Sequence, residues 1–194
     1  MTDLHELLLK VKNGEIPLEE AEGYLRRQPY EKLGNYAKID SHRRVRSGFP
    51  EVIYSQGKAD EHFVAIFQRI YQDEGQVLAT RASQHQYELI QALLPQAEYD
   101  PISRIISCWE PGKAMEEGKG CVAVCTAGTA DIPVAEEAAR TAEFFGCHVE
   151  RIFDVGVSGI HRLLSNAETI QKANCVVAVA GMEGALGSVI AGMV

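Results

Sequence analysis

A strand, a glycine-bearing loop and a helix follow one another three times after residue 120, and this pattern constrains the fold most strongly. Apolar runs predict strands at 121–125, 149–155 and 175–180. Helices are predicted at 133–145, about 158–172 and 185–194. Strands that are apolar throughout are typical of parallel sheets buried on both faces. Right-handed β-α-β connections then predict an open parallel α/β sheet, with ligands bound outside the carboxyl ends of its strands.

The first half of the chain is less regular and predicts an α+β domain. Its predicted helices are 3–12, 16–29, 59–73 and 83–94, and its predicted strands are 51–54, 76–80 and 102–108. We therefore predict an N-terminal α+β domain at 1–111, a linker at 112–120 and an α/β domain at 121–194. Three strands leave an unprotected edge, and the sequence stops inside an apolar helix. We expect the α/β domain to be incomplete at its C-terminus, or else an oligomer to cover that edge.

Composition narrows the classes of function. A formal net charge of −8 over 194 residues argues against binding to nucleic acid or to anionic membranes. No apolar run reaches the length of about 18 residues that a membrane span needs, and no signal peptide is evident. Five cysteines without paired spacing favour a reducing cytoplasm. Cys121, Cys125 and Cys175 fall in predicted buried strands, so we expect inert thiols there and nominate no cysteine as a nucleophile.

Three loops at the strand ends carry the candidate chemistry. The first runs from Thr126 to Pro133, and its small residues allow backbone N–H groups to approach an anion beside a helix N-terminus. Asp131 lies in this loop and is a candidate catalytic residue. The alternative is that its side chain only caps the helix that follows. The second loop carries His161, suited to proton transfer near neutral pH, and Arg162, suited to phosphate or carboxylate. The alternative is that His161 and Arg162 are solvated side chains at the start of a surface helix.

The third loop places Glu183 between glycines. Glu183 is a candidate general base, or simply a glutamate favoured by the helix dipole. Because all three loops follow parallel strands, we expect Asp131, His161 and Glu183 to converge at one edge of the sheet. We predict that the substrate is bound by small and basic residues around these three, together with three arginines of the first half. The predicted substrate-binding residues are Arg44, Arg46, Arg81, Gly128, Thr129, Ala130, Ser158, Gly159, Arg162, Gly181, Met182 and Gly184.

The tract from His42 to Arg46 is the strongest positive cluster in this acidic chain. If the tract is a strand, alternation puts Arg44 and Arg46 on one face, where they can clamp a phosphate. The alternative is an edge strand that its charges protect from aggregation. Arg81, after a predicted strand, is a weaker candidate for binding an anion.

Several of these stretches together resemble the LarB family. They are RSGFPEVIY (46–54), LATRA (78–82), GTADIPVAEEA (128–138), DVGVSGIHRLL (154–164) and AGMEGAL (180–186). LarB proteins are similar, in their C-terminal domain, to the PurE family of aminoimidazole ribonucleotide carboxylases. The resemblance implies a PurE-like, flavodoxin-like three-layer α/β/α domain. Thr129 and Asp131 match the PurE nucleotide loop, and the stretch from Ser158 to Arg162 resembles the PurE Ser-Ala-His-Arg stretch with one extra residue.

The resemblance also implies a reaction. LarB enzymes carboxylate the pyridinium ring of nicotinic acid adenine dinucleotide at C5 with CO2 and hydrolyse the phosphoanhydride. The products are pyridinium-3,5-biscarboxylic acid mononucleotide, the precursor of the nickel-pincer cofactor of lactate racemase, and AMP. A family cysteine adds to ring C4, magnesium supports hydrolysis, and PurE-like domains form octamers. Asp131 and Asp154 both stay open as magnesium ligands.

Two positions depart from the family pattern. The covalent cysteine is expected after the third helix, where this chain has none, and Gly187 stands where a proline is expected. Two alternatives therefore stay open. One is a PurE-type carboxylase or mutase acting on aminoimidazole ribonucleotide, and the other is a nucleotide-binding protein without turnover.

Overall fold

The computed structural model describes residues 4–26, 30–40, 43–112, 118 and 120–194. The protein is a mixed α/β protein, as the sequence predicts, and the described residues form three sheets. Its strands are β1 Glu31–Leu33, β2 Ala37–Ile39, β3 Val52–Tyr54, β4 Gln76–Thr80, β5 Glu98–Asp100, β6 Ile105–Trp109, β7 Cys121–Thr126, β8 His148–Ile152 and β9 Cys175–Val179. Its helices are α1 Leu4–Lys12, α2 Leu18–Arg26, α3 Arg43–Ser47, α4 Asp60–Glu74, α5 Gln84–Gln91, α6 Ile132–Phe144, α7 Ile160–Leu164, α8 Ala167–Lys172 and α9 Ala185–Ala191.

The sheet of the first half has the order β3-β4-β6-β5, and a two-stranded hairpin, β1-β2, lies outside it. β3 runs parallel to β4, whereas β6 runs antiparallel to both β4 and β5. Successive side chains of a strand point to opposite faces. Val77 and Ala79 of β4 accordingly pack with Phe63 and Phe67 of α4, while Leu78 between them points the other way.

The sheet of the second half is parallel throughout, in the order β8-β7-β9. Ala123 and Cys125 of the central strand lie in one buried cluster with residues of α7, α8 and α9. Val124, between them, lies in a second cluster with Ala135 and Ala139 of α6. Helices therefore cover both faces of this sheet, and α6 is the helix that covers the second face.

Helix α6 also joins the two halves. Phe144, at its end, is buried against Leu78 and Ile105 of the first sheet. The rings of Trp109 and Phe144 lie 4.6 Å apart between centroids, and those of Phe49 and Phe145 lie 4.9 Å apart. Aromatic pairs at such distances bury large apolar areas. Helix α6 is therefore packed between the two sheets.

The condition set for the basic tract is not met, because Arg43–Ser47 forms a short helix, α3, and not a strand. The Ser47 hydroxyl donates to the carbonyl of Arg43 at 2.8 Å and closes the turn. Residues two apart on a helix point in different directions, so Arg44 and Arg46 do not share a face. His42 lies outside the described residues, as do 113–117 and 119 of the predicted linker.

Three further expectations need correction. The single helix expected at about 158–172 is two helices, because Ser165 Oγ and Asn166 Nδ2 donate to the carbonyl of Arg162, at 2.8 and 2.9 Å, between α7 and α8. β1, β2 and β5 were not predicted, since they have three residues each and no alternating apolar pattern. Cys175 is exposed rather than buried, because β9 is an edge strand.

Within the described ranges, no helix combines the length and apolar character that a membrane crossing requires.

Candidate active site

The three predicted loops meet at the carboxyl end of β7, the central strand. The N–H of Asp154, in the loop after β8, donates to Thr126 Oγ1 at 3.0 Å, and the N–H of Gly156 donates to the carbonyl of Ala127 at 2.9 Å. On the other side, the N–H of Ala127 donates to the carbonyl of Val179, the last residue of β9, at 3.0 Å. These bonds tie the ends of all three strands together, so the loops that carry Asp131, His161 and Glu183 leave from one edge of the sheet.

The loop after β7 leads into α6 through a tight turn. Asp131 Oδ2 accepts the N–H of Gly128 at 3.0 Å, which closes a 3-10 turn at Thr129–Asp131. Asp131 makes no side-chain cap to α6 itself, so its carboxylate shapes the loop before the helix. Thr129 and Ala130 are exposed at the amino end of α6. The positive end of the helix dipole favours an anion at this position.

The loop after β8 is held against the first loop. A Cβ on Gly156 would lie 2.5 Å from the carbonyl oxygen of Ala127, so only glycine permits this approach. Asp154 has a left-handed φ of 59°, which is uncommon for a residue with a side chain. Its Oδ2 accepts a hydrogen bond from Nη1 of Arg162. His161 and Ser158 are exposed.

The loop after β9 is a turn between Gly181 and Gly184, closed by a hydrogen bond of 3.0 Å from the N–H of Gly184 to the carbonyl of Gly181. Met182 has a φ of 53° and is fully exposed, at 101%. A left-handed backbone at an exposed apolar residue is unfavourable in the free chain. Glu183 is also exposed and directly precedes the residue that caps α9. The turn therefore presents both side chains outward from the sheet edge.

Arg81 connects the first sheet to α6. It follows β4 with a left-handed φ of 54°, and its Nε lies 2.6 Å from Glu137 Oε2 of α6. The hydrogen bond to Glu137 raises the pKa of Arg81 above its ordinary value. Arg104 braces the turn by donating to the carbonyls of Arg81 and Ala82, at 3.2 and 3.1 Å. Arg81 is thereby fixed about one and a half turns along α6 from Asp131.

The basic tract does not join the loops within one copy of the chain. Arg44 forms an ion pair with Glu74 at 3.5 Å, and Arg46 forms one with Asp40. Phe49, just after α3, packs against Phe145 at the carboxyl end of α6, whereas Asp131 precedes its amino end. A helix of this length spans about 20 Å. α3 is therefore linked to the end of α6 that lies away from the three loops.

Sequence reasoning missed Glu137 and Arg104, which hold Arg81, and the pairing of Asp154 with Arg162. Only the last pair has a signal in the sequence, since both residues belong to one loop. The other contacts join segments far apart in the chain, and no periodicity predicts them.

The described residues contain no group of three or more His, Cys, Asp or Glu side chains that can hold a metal ion. Magnesium, however, is usually bound by one or two carboxylates together with substrate phosphates. The carboxylate of Asp154 is paired with Arg162, whereas Asp131 lies half-buried at the loop that favours anions. A magnesium ion that binds together with a substrate phosphate would therefore need Asp131 rather than Asp154.

The comparisons with known proteins agree with the fold. A family model described as the LarB/PurE-like N-terminal domain matches residues 30–110. The chain is also 37% identical over 198 residues to an uncharacterised protein of Methanocaldococcus jannaschii, with 99% of this chain and 77% of the relative aligned. The matching domain defines a carboxylase-related class of protein. Within that class, the chain belongs to the LarB family.

Proposed function

We propose that the protein carboxylates the pyridinium ring of nicotinic acid adenine dinucleotide at C5 and hydrolyses its phosphoanhydride, giving pyridinium-3,5-biscarboxylic acid mononucleotide and AMP. This is the first step toward the nickel-pincer cofactor of lactate racemase. The observation that carries the proposal is membership of the LarB family, combined with three loops tied together at one edge of a parallel sheet.

The anionic substrate fits the character of these loops. The phosphates bind beside Gly128 at the amino end of α6, with the N–H groups of Thr129 and Ala130 as donors, since the N–H of Gly128 donates to Asp131. Arg162 binds a phosphate or the ring carboxylate from the neighbouring loop. The remaining proposed contacts come from the rims of the second and third loops: Ser158, Gly159, Gly181, Met182 and Gly184. Arg81 approaches from the first sheet, while Arg44 and Arg46 can reach the substrate only if they come from another copy of the chain.

The carboxylation requires a change of polarity in the ring. A pyridinium ring is electron-poor, so C5 attacks CO2 only after a thiolate has bonded to C4. The new C5–C bond forms, the proton on C5 passes to a base, and the thiolate leaves, which restores the aromatic ring. His161 and Glu183 both stand at the loops as candidates for this base. Water then cleaves the phosphoanhydride to release AMP. Asp131 would hold a magnesium ion there, and that ion would supply charge neutralisation at the phosphates.

The cysteines of the chain lie away from the loops or are buried. Cys121 and Cys175 begin β7 and β9, and Cys147 precedes β8, so all three are at the amino ends of the strands. A strand of five or six residues spans about 15–20 Å. Burial raises the pKa of the Cys108 and Cys125 thiols to about 11, which keeps them protonated at neutral pH. The proposal therefore assigns the thiolate to none of these five cysteines and follows the family pattern of a cysteine after the third helix.

The test is a pair of incubations with magnesium and 13C-labelled bicarbonate, one with nicotinic acid adenine dinucleotide and one with aminoimidazole ribonucleotide. Both the 194-residue chain and the product of its uninterrupted reading frame are assayed by mass spectrometry. Labelled biscarboxylated mononucleotide together with AMP supports the proposal. Turnover of aminoimidazole ribonucleotide alone replaces it with the PurE-type reaction, and tight binding of the dinucleotide without any product replaces it with a binding function.

A further inference from the structure

We infer that Asp154 and Gly159 are positioning residues, which hold the guanidinium of Arg162 in one place so that its remaining N–H groups bind a phosphate or carboxylate. The identity of that ligand rests on the proposed function. The positioning itself follows from the contacts around Arg162.

The first contact is the ion pair with Asp154. Nη1 of Arg162 donates to Oδ2 of Asp154, and both side chains are partly exposed, at 39% and 50%. Asp154 does not move freely, because its N–H is bonded to Thr126 Oγ1 and the next N–H, of Val155, is bonded to the carbonyl of Thr126 at 2.9 Å. The left-handed backbone of Asp154 is thus fixed by the end of β7. Arg162 is anchored, through Asp154, to the strand that leads into the Gly128 loop.

The second contact is with Gly159. A Cβ built on Gly159 would lie 2.7 Å from Nε and 3.0 Å from Nη2 of Arg162. These distances are too short for a carbon, so the guanidinium occupies space that any other residue would fill. The backbone of Gly159, with a φ of −130° and a ψ of 60°, lies between the extended and helical regions. Gly159 leaves the space that the guanidinium occupies, so a substitution here is compared in the presence and in the absence of that guanidinium.

The main chain of Arg162 is fixed as well. Its carbonyl accepts hydrogen bonds from Ser165 Oγ and Asn166 Nδ2 at the break between α7 and α8. The side chain is therefore held at the backbone and at Nη1, and its Nε–Nη2 edge lies in the space that Gly159 leaves. Among the described residues, Asp154 is the carboxylate that pairs with Arg162, and this pairing engages one of the five N–H donors of the guanidinium.

A held guanidinium binds an oxyanion more tightly than a mobile one. An arginine side chain has many rotamers, and their loss on binding weakens affinity unless the side chain is already fixed. Asp154 accepts one N–H group, and the planar fork keeps the others in fixed directions toward a second acceptor. Phosphate and carboxylate match this geometry, and both groups occur in the proposed dinucleotide substrate.

Gly159→Ala tests this contact most directly, because the heavy atoms nearest to its methyl group belong to the flexible end of Arg162, which must move away from it. Asp154→Asn keeps an acceptor oxygen and tolerates the left-handed backbone, but removes the charge. Gly187→Ala is the matched control, since its Cβ would lie at an ordinary 4.0 Å from Ala178. Arg162→Lys and the double variant Gly159→Ala/Arg162→Lys complete the set.

Binding of inorganic pyrophosphate is measured by calorimetry for every variant, and KM and kcat are measured with the dinucleotide. We expect Gly159→Ala to weaken pyrophosphate binding about tenfold or more, as for loss of a charge-assisted hydrogen bond. Asp154→Asn weakens it less, and Gly187→Ala not at all. In the Arg162→Lys background, Gly159→Ala has little further effect, because lysine has no Nε or Nη2 to displace. With the dinucleotide, KM rises more than kcat falls.

Side-chain 15N NMR gives a readout that does not depend on turnover. The Nε–H signal of Arg162, assigned by its absence from Arg162→Lys, is expected to shift in Gly159→Ala, because the methyl group displaces Nε. Unchanged pyrophosphate affinity and an unchanged Nε–H signal in Gly159→Ala would overturn the inference, as would equal effects in the two backgrounds. If the protein binds pyrophosphate in this pattern but never carboxylates the dinucleotide, the proposed function fails while the positioning of Arg162 stands.

Discussion

Arg81 and Glu137 join the two halves of the protein, with Nε of Arg81 2.6 Å from Oε2 of Glu137. Arg81 directly follows β4, an inner strand of the first sheet, and Glu137 lies on α6, the helix that follows the Asp131 loop. The same helix buries Phe144 against the first sheet at its other end. The position of the candidate active site relative to the N-terminal half therefore depends on contacts along α6. They include the Arg81–Glu137 pair, the Arg140–Asp100 pair at 3.8 Å and the aromatic contacts of Phe144 and Phe145.

Breaking the ion pair is expected to cost little stability. Because Arg81 is 39% exposed, water screens its interaction with Glu137. We expect Glu137→Gln to lower the free energy of unfolding by about 0.5–1 kcal/mol, measured by urea denaturation. The control is Glu168→Gln, which removes an ion pair with Lys172 that is exposed on both sides and is expected to change nothing measurable. Equal effects of the two substitutions would show that the pair does not join the halves.

Truncation of the apolar contact has a larger expected effect. Phe144 is 6% exposed and packs against Leu78, Ile105 and the ring of Trp109. Phe144→Ala removes these contacts and leaves a cavity, so we expect a loss of about 3–5 kcal/mol in the free energy of unfolding. Leu164→Ala, at a side chain that is 55% exposed, is the control and should change it by less than about 0.5 kcal/mol. A loss below about 1 kcal/mol for Phe144→Ala contradicts the packing of α6 between the sheets.

The glycines of the first two loops are predicted to differ in their roles. Gly156→Ala places a methyl group 2.5 Å from a backbone oxygen, so we expect it to lower the melting temperature and distort the loop after β8. Gly128→Ala places one at an ordinary distance of 3.9 Å from Asp131, with an extended backbone. We expect the melting temperature of Gly128→Ala to equal that of the wild type while pyrophosphate binding weakens. Normal binding by a folded Gly128→Ala would argue against the anion site at this loop.

The buried thiols make stability depend on pH in the alkaline range. Burial raises the pKa of Cys108 and Cys125 from an ordinary 9.0 to about 11. The folded protein favours the neutral thiols, whereas the thiols of the unfolded chain ionise above pH 9. The unfolded chain is therefore stabilised relative to the folded one as the pH rises from 9 toward 11, and the free energy of unfolding falls. We expect the urea midpoint to fall between pH 8 and pH 10.5, and to fall less in the Cys108→Ala/Cys125→Ala variant. An equal fall in both proteins would assign the effect to other groups.

Much of the fold could be predicted because it depends on local patterns. The apolar run at Cys121–Thr126 and the helical spacing of Phe63, Phe67 and Ile70 give β7 and α4 nearly to the residue. Sequence patterns did not predict the structure of segments whose conformation depends on a few polar contacts. The turn closed by Ser47 makes α3 a helix, and Ser165 and Asn166 break the expected long helix in two. A window of sequence does not show which competing hydrogen bond a short segment will form.

In the candidate site, the position of the loops could be predicted from the sequence, but the partners of the arginines could not. Loops after parallel strands necessarily leave from one edge of the sheet, so the convergence of the loops that carry Asp131, His161 and Glu183 follows from topology alone. The partners of the arginines do not follow. Arg44 pairs with Glu74, and Arg81 pairs with Glu137. Each pair joins segments that only the folded chain brings together.

The measurement that tests the central proposal most directly is the incorporation of a carbon label into the ring carboxylates of the product. The protein is incubated with nicotinic acid adenine dinucleotide, magnesium and 13C-bicarbonate, and the isolated mononucleotide is examined by 13C NMR and mass spectrometry. The account predicts one enriched carboxylate per pyridinium ring, in a ring whose positions 3 and 5 have become equivalent, with AMP formed in equal amount. Release of AMP with no enriched carboxylate on the ring, or label on an imidazole ring only, would contradict it.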